Sequence, residues 1–179
     1  DMVANAVFYY GLLRSLARQC TAPDEILRRI NDELLDQNPR GMYVTLQCLV
    51  IDPATMEVSA AGAGHDSAVL LSPGAPPRLV IPPTGRVVGL MAENPVTAQS
   101  LTLGPGETLV LFTDGVSEAL SPGQEFFGEE RLLAHLAESP GGTAEETTRG
   151  LVEAVRRHAA GAKQSDDITV VAVRRSPGA

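Results

Sequence analysis

The chain has 179 residues, which suits one domain or slightly more. Hydrophobic residues make up 44% of the chain and charged residues 20%, an ordinary globular mixture. The formal net charge is −8, and no stretch gathers enough Lys and Arg to follow a phosphate backbone. Trp is absent and aromatic residues are scarce at 4%, so little is available to stack on bases. Together these features argue against nucleic acid as a partner.

The two cysteines, Cys20 and Cys48, show neither a metal-ligand spacing nor a disulfide framework. Both lie in apolar surroundings, and we expect buried free thiols, as in a reducing cytoplasm. No signal peptide is recognisable, and no apolar run approaches the ~18 residues of a membrane span. The apolar segment from Ala6 to Leu16 is interrupted by Gly11 and Arg14 and is typical of a buried helix. We therefore expect a cytoplasmic protein without membrane insertion.

Helices are predicted first along the chain. One covers residues 3–16, and a second starts at Thr21, where Thr21 and Asp24 have the spacing of a capping box. It is expected to end near Asn38-Pro39. A series of strands then follows, joined by turns rich in Asp, Pro and Gly. The predicted strands are Val44 to Ile51, Glu57 to Ala61, Ala68 to Leu71, Val96 to Leu103 and Thr108 to Phe112.

Helices return after Asp114. One is predicted from Glu129 to Ala137, and the capping box Thr143 to Glu146 opens another. A last strand is predicted from Ile168 to Val173. Because the hairpin connections are short, the order of elements indicates an α/β (α+β) layered fold and argues against a doubly wound parallel sheet.

Two acidic sites stand out because each lies at the end of an apolar strand. The segment Leu109 to Gly115 places Asp114 at the exit of a buried strand, and Gly115 allows a close backbone approach. In the second, Asp166 and Asp167 immediately precede the last strand. Hard cations such as Mg²⁺ and Mn²⁺ favour oxygen ligands of this kind. Solvated turn residues would give the same pattern.

Several motifs together resemble one protein family over nearly the whole chain, from about Ala6 to Val173. In chain order they are Val44-Thr-Leu46, Ala63-Gly-His65, Gly89-Leu90, Leu103-Gly-Pro-Gly-Glu107, Thr113-Asp-Gly-Val-Ser-Glu118, Phe126-Phe-Gly-Glu-Glu-Arg-Leu132 and Asp166-Asp-Ile-Thr169. The family is the bacterial, SpoIIE-like branch of the metal-dependent (type 2C, PPM) serine/threonine protein phosphatases. It includes the sporulation phosphatase and stress-response regulators of partner-switching pathways.

The resemblance implies a β-sandwich flanked by helices, with two Mn²⁺ or Mg²⁺ ions at one end. Asp114 and Asp166 match the metal-binding, catalytic aspartates of the family, while Asp167 has a lesser role. Water activated by the metals would attack phosphoserine or phosphothreonine on a protein partner. By analogy that partner is an anti-anti-sigma-factor-type regulator, which would place the chain in sigma-factor regulation. A homodimer and an upstream sensor domain both remain open.

The resemblance also implies a further aspartate, in a Gly-Asp-x-x-Gly-x-Gly stretch before the first long helix, that bridges both metals. The chain begins after that stretch, with Asp1 near its final glycine, so Asp1 is not expected to be a ligand. We expect residues 1–175 to form a phosphatase catalytic domain that lacks its first strands, and residues 176–179 to form a disordered tail. Without the bridging aspartate, the chain is expected to bind metal poorly and to be inactive as it stands.

Other polar residues leave alternatives open. His65 either lies near the phosphate or, as we favour, orders the turn after a strand. Arg86 could bind a phosphate bidentately or be solvated. Thr113 and Thr169 either steady the neighbouring aspartates through their hydroxyl groups or are simply good strand formers.

Two other functions also compete with the phosphatase. One is a non-catalytic phosphatase-like signalling or binding module without a complete metal site. The other is a different metal-dependent hydrolase, such as a phosphodiesterase, which a chain with three scattered histidines fits poorly.

Overall fold

The computed structural model describes residues 11–36, 41, 43–138, 142–164 and 166–178. The chain divides into two compact units that interleave in sequence. The first unit comprises Asp1–His65 and Pro83–Thr102, and the second comprises Asp66–Pro82 and Leu103–Ala179. Several predictions lie wholly or partly outside the described residues: the one about Asp1, the start of the first helix at 3–10, the end of the second near Asn38-Pro39, and the last tail residue, Ala179. The single catalytic domain over residues 1–175 stays a prediction.

The first unit contains two helices and a three-stranded sheet. Residues 11–16 are helical (α1), and α2 spans Pro23–Asp36. Strands β1 (Leu46–Ile51), β2 (Glu57–Ala63) and β5 (Gln99–Thr102) pair antiparallel in the order β1-β2-β5. Helix α2 packs against β1 and β2.

Helix α2 forms because its apolar residues recur at helical spacing and face the sheet. Ile26, Leu27, Ile30 and Leu34 are buried together with small residues of β2. The helix begins at Pro23, whose fixed φ suits the first helical position. The carbonyl of Ala22 accepts the hydrogen bond from the Ile26 amide, so the cap position is Ala22 and not the predicted Thr21.

The second unit contains a four-stranded sheet and three helices. Its strands are β3 (Ala68–Leu71), β4 (Arg78–Val80), β6 (Thr108–Phe112) and β7 (Val170–Arg174), in the order β4-β3-β6-β7 with every pair antiparallel. The helices are α3 (Asp114–Ser117), α4 (Gly128–Glu138) and α5 (Ala144–Ala159). Strand β6 is a central strand with a mostly buried run of side chains, as its apolar sequence predicts.

The core of the second unit lies between its sheet and its helices. Val69, Val110 and Phe112 of the sheet are buried with apolar residues of α3, α4 and α5. Thr143 caps α5 as predicted: its side chain accepts a hydrogen bond from the Glu146 amide, and the Glu146 carboxylate accepts one from the Thr143 amide.

The predicted fold class is confirmed: the protein is a mixed α/β fold with two antiparallel sheets and helices. Two short elements, β4 and α3, were not predicted. Both are too short to show a period in the sequence, at three and four residues. The predicted burial of the cysteines was wrong, because Cys20 and Cys48 are free thiols of intermediate exposure.

Within the described residues, no helix is long and apolar enough to span a membrane.

Candidate active site

Three paired strands of the second unit bring separate aspartates to one edge of its sheet. Strands β6 and β7 pair with Phe112 opposite Val170, so the chain leaving β6 lies beside the chain entering β7. Strand β3 pairs with β6 on its other side, with Val69 opposite Val110. Because neighbouring strands are antiparallel, the segments before β3 and β7 and the segment after β6 share this edge. Those segments carry the aspartates at positions 66, 114, 166 and 167.

The side chain of Thr113 joins the two predicted acidic segments. Its hydroxyl donates a hydrogen bond to the Asp167 carbonyl over 2.8 Å and accepts one from the Thr169 amide over 3.0 Å. The Thr113 amide donates to the Thr169 carbonyl over 3.1 Å. The hydroxyl of Thr113 therefore steadies the loop of Asp166 and Asp167, whereas Thr169 contributes through its backbone.

Gly115 lies against the same loop. A Cβ atom at this position would be 2.4 Å from the carbonyl oxygen of Asp167 and 3.2 Å from that of Asp166. Real Cβ atoms essentially never make the first contact, so the approach requires glycine. Since Gly115 directly follows Asp114, the backbone at Asp114 is adjacent to the loop that carries the second acidic site.

A fourth aspartate at this edge was missed by the sequence analysis. Asp66 precedes β3, and its Oδ2 atom accepts a hydrogen bond from the Ser117 hydroxyl over 3.1 Å. The same hydroxyl is 3.4 Å from the Asp114 carbonyl oxygen, so Ser117 connects Asp66 to the helix that Asp114 begins. The signal was available, because Asp66 precedes an apolar strand just as Asp166 and Asp167 do. However, only the pairing of β3 with β6 shows that Asp66 lies at the same edge of the sheet as Asp114.

The donor chemistry of this edge suits a hard divalent cation. Asp114, Asp166 and Asp167 are exposed and Asp66 is half-buried, so their oxygens can meet solvent. Within the described residues, however, no three His, Cys, Asp or Glu side chains are grouped to hold a metal ion. Mg²⁺ is commonly held by one or two carboxylates with water completing its shell. The residues present therefore fit such an ion as a partial ligand set.

Two other residues singled out from the sequence lie in the first unit. His65 follows β2, and its Nδ1 atom is 3.2 Å from the Thr45 hydroxyl, a contact that suits a residue ordering this turn. Arg86 is exposed and its guanidinium contacts the sulfur of Met91 over 3.1 Å. Both residues belong to the first unit, and His65 directly precedes Asp66, the first residue of the second.

Two antiparallel sheets flanked by helices form the fold of PP2C-type phosphatase domains, and solved domains of this class match it. The model of the family described as Stage II sporulation protein E (SpoIIE) matches residues 4–176. The chain therefore belongs to the SpoIIE family.

Among curated proteins, Protein IcfG of Synechocystis sp. is 31% identical over 212 residues. The match covers 98% of this chain and 32% of that protein, so the chain spans about a third of that relative's length.

Two solved structures illustrate the likeness of fold. The SiaA-PP2C domain of Pseudomonas aeruginosa matches with a TM-score of 0.73 and 21% identity, over 86% of this chain and 60% of that one. A SpoIIE structure from Bacillus subtilis contains the PP2C phosphatase domain and a fragment of the regulatory domain. It matches with a TM-score of 0.76 and 22% identity, over 92% of this chain and 48% of that one. At this level of identity the match establishes the fold alone.

One further match concerns a metal. The phosphatase domain of SpoIIE from Bacillus subtilis, presoaked with Mn, has a TM-score of 0.64 and 21% identity, over 93% of this chain and 73% of that one.

Proposed function

We propose that the chain is a metal-dependent protein serine/threonine phosphatase. The observation that carries the proposal is the convergence of two strand-end segments, one with Asp114 and one with Asp166, through Gly115 and Thr113. Family membership supports it, since SpoIIE-type domains share the protein phosphatase fold. Asp114 and Asp166 are the proposed ligands of Mn²⁺ or Mg²⁺, with two ions in the complete site.

The carboxylates alone would repel a phosphate, because both carry negative charge. When bound, divalent cations would supply the Lewis-acid chemistry that lowers the pKa of a water and offsets the charge on phosphate oxygens. Asp114 and Asp166 would hold the cations at the exposed edge, where a phosphorylated side chain of another protein can reach. Thr113 keeps the Asp166 loop against the Asp114 turn by its hydrogen bonds.

The proposed substrate is a phosphoserine or phosphothreonine on a protein partner, of the anti-anti-sigma-factor type. The family resemblance of the sequence motifs supports this choice, as does the fold shared with domains named RsbU and SiaA. An exposed site also favours a protein substrate, because a phosphorylated loop of another protein can reach carboxylates that face solvent.

The test is Mn²⁺-dependent phosphate release by the protein together with any residues encoded upstream of Asp1. Asp114→Asn and Asp166→Asn should each lower turnover of a phosphoserine protein by about a hundredfold, which corresponds to about 2.7 kcal/mol of lost charge stabilisation. Asp32→Asn is the matched control, because Asp32 is an exposed residue of α2 in the other unit. Normal turnover in both site variants would refute the proposal.

A non-catalytic signalling module remains the second candidate. It is favoured by the absence of a three-residue metal-binding group within the part of the chain that the structure describes. Calorimetric titration with Mn²⁺ separates the two functions. A phosphatase should bind Mn²⁺ and lose affinity in the Asp114→Asn variant, whereas a docking module would show no heat of binding that depends on Asp114.

A further inference from the structure

A cavity of about 270 Å³ adjoins the candidate active site within the second unit. Gly115, which follows Asp114, lines it on one side, and Ile168, which follows Asp167, lines it on another. The remaining floor is apolar and comes from α5, from the segment after α3 and from the turn that follows α5. Those floor residues are Ala119, Leu120, Val155, Ala159 and Ala162.

The polar lining of this cavity is cationic. Arg156 and Lys163 both line it and are exposed, and Gln164 is the other polar side chain in the lining. Among the residues that the structure describes, no carboxylate lines the cavity, although the chain has 22 acidic and 14 basic residues. Among the described residues, Arg156 and Lys163 form no ion pair with an acidic side chain. The cavity thus offers unneutralised positive charge beside an apolar floor.

The size of the cavity favours a side chain over a small-molecule ligand. Pockets that hold cofactors and similar ligands usually measure about 300–1,000 Å³, so this cavity, at about 270 Å³, lies just below that range. The methylene groups of a long acidic side chain would cover the apolar floor, while its carboxylate would meet Arg156 or Lys163.

We propose that this cavity receives a glutamate or aspartate side chain of the phosphoprotein substrate, a few residues from the phosphorylated residue. The proposal rests on the proposed phosphatase function, because it places the acidic side chain beside the segments that carry Asp114 and Asp166. The chemistry that selects the substrate is then separate from the chemistry that acts on the phosphate. Arg156 and Lys163 bind the flanking sequence and take no part in hydrolysis.

The test compares two short phosphoserine peptides that differ only in having Glu or Gln at the positions flanking the phosphoserine. A third substrate, para-nitrophenyl phosphate, is too small to need the cavity. The wild-type protein, tested with Mn²⁺ and with the residues encoded upstream of Asp1, should prefer the Glu peptide by about fivefold in kcat/KM. Most of this effect should come through KM, and its size is that expected from exposed ion pairs. Lys163→Gln and Arg156→Gln should each reduce this preference and leave para-nitrophenyl phosphate hydrolysis unchanged. Lys163→Glu should reverse it.

Arg157→Gln is the matched control, because Arg157 is exposed in the same last turn of α5 but does not line the cavity. Equal effects of Arg157→Gln and Arg156→Gln would overturn the proposal, as would equal use of both peptides by the wild type. If none of the three substrates is hydrolysed, the proposed phosphatase function is refuted independently of the cavity. The affinities of fluorescent Glu and Gln peptides then test whether the cavity binds an acidic side chain. Equal affinities would overturn the proposal.

Discussion

The Cα atom of Gly115 lies so close to the carbonyl oxygen of Asp167 that a β-carbon on Gly115 would be 2.4 Å from it. These two residues are far apart in the chain, one after β6 and the other before β7. Their contact holds the two acidic segments together through backbone atoms, which have less conformational freedom than side chains. The candidate site therefore depends on backbone packing as well as on its carboxylates.

Gly115→Ala should destabilise the protein and impair the site. The added methyl group meets backbone atoms that cannot move alone, so the two segments must separate, at a cost of about 1–3 kcal/mol typical of overpacking. Urea unfolding measures the loss, and calorimetry with Mn²⁺ measures the effect on the site. Gly123→Ala is the control, since the nearest atom to its new methyl group is the Ser121 hydroxyl at 3.6 Å. Equal stability of the two variants would contradict the importance of this contact.

Thr113→Val should weaken the connection between the two segments while keeping a β-branched side chain. The substitution removes the hydroxyl that bonds Asp167 and Thr169, and each lost hydrogen bond costs about 0.5–1.5 kcal/mol. Urea unfolding and Mn²⁺ titration are the measurements. Thr113→Ser keeps the hydroxyl and should retain more stability and affinity than the valine variant. The reverse order would show that strand propensity matters more than these bonds.

In the first unit, the backbones of Val44 and Val88 form an isolated antiparallel bridge, with hydrogen bonds of 3.0 and 2.8 Å. Asn31→Leu should loosen the segment that follows Val88. Asn31 is only 1% exposed; its amide nitrogen donates to the Met91 carbonyl and its oxygen accepts from the Gly89 amide, both over 3.0 Å. Leucine leaves both backbone groups unpaired, at about 1–3 kcal/mol for each one that stays buried. Faster hydrogen exchange at the Gly89 amide and a lower urea midpoint are expected.

The control for that experiment is Asp32→Ala, which changes an exposed neighbour on the same helix. It should leave the exchange of Gly89 unchanged. Slow exchange at Gly89 in the leucine variant would show that the segment is held by other contacts.

The capping box of α5 should make part of the stability depend on pH. Hydrogen bonds from Thr143, chiefly from its backbone amide, hold the pKa of Glu146 below its ordinary value of 4.5. The folded state then binds fewer protons than the unfolded state, so this stabilisation is present above pH 4.5 and is lost as the pH falls through the lower folded value. Glu146→Gln should be less stable than wild type at neutral pH, and the gap should close in acid. Urea unfolding midpoints of both proteins, measured from neutral to acid pH, test this prediction. A stability difference that stays constant with pH would contradict the link between the pKa of Glu146 and stability.

Thr143→Ala tests the other half of the same cap. It should cost about 1 kcal/mol, since the Glu146 amide loses its acceptor. Thr148→Ala is the control, because the Thr148 hydroxyl bonds the Glu145 carbonyl of the same helix and alanine is a better helix former. A larger loss in the Thr148 variant would show that the cap contributes little.

Much of the fold could be predicted because the signals are local. Strands β3 and β6 were predicted with their exact bounds, since each is an apolar run between turn residues. Strand β5 was predicted from Val96 to Leu103, but it spans only Gln99–Thr102. The alternating sequence pattern extends beyond the residues that pair with β2. The length of a strand depends on its neighbour, and the neighbour is not visible in a single segment.

The candidate site was predicted in part. Asp114, Asp166 and Asp167 were selected from strand ends and from family motifs, and their segments do converge, while their roles as ligands stay a prediction. Asp66 was missed because nothing local shows that β3 pairs with β6. The cationic cavity was invisible for the same reason, since Arg156, Lys163 and Gly115 belong to separate stretches of the chain.

The amino-acid sequence by itself determined the elements with strong local signals, the capping box of α5, the character of β6 and the family to which the chain belongs. Only the tertiary structure decided which strand ends share an edge, that Ser117 connects Asp66 to the Asp114 turn, and that a cationic cavity lies beside Gly115. The physical reason is that periodicity, caps and turns act over a few residues. Strand pairing and cavity lining join residues that the order of the chain keeps apart.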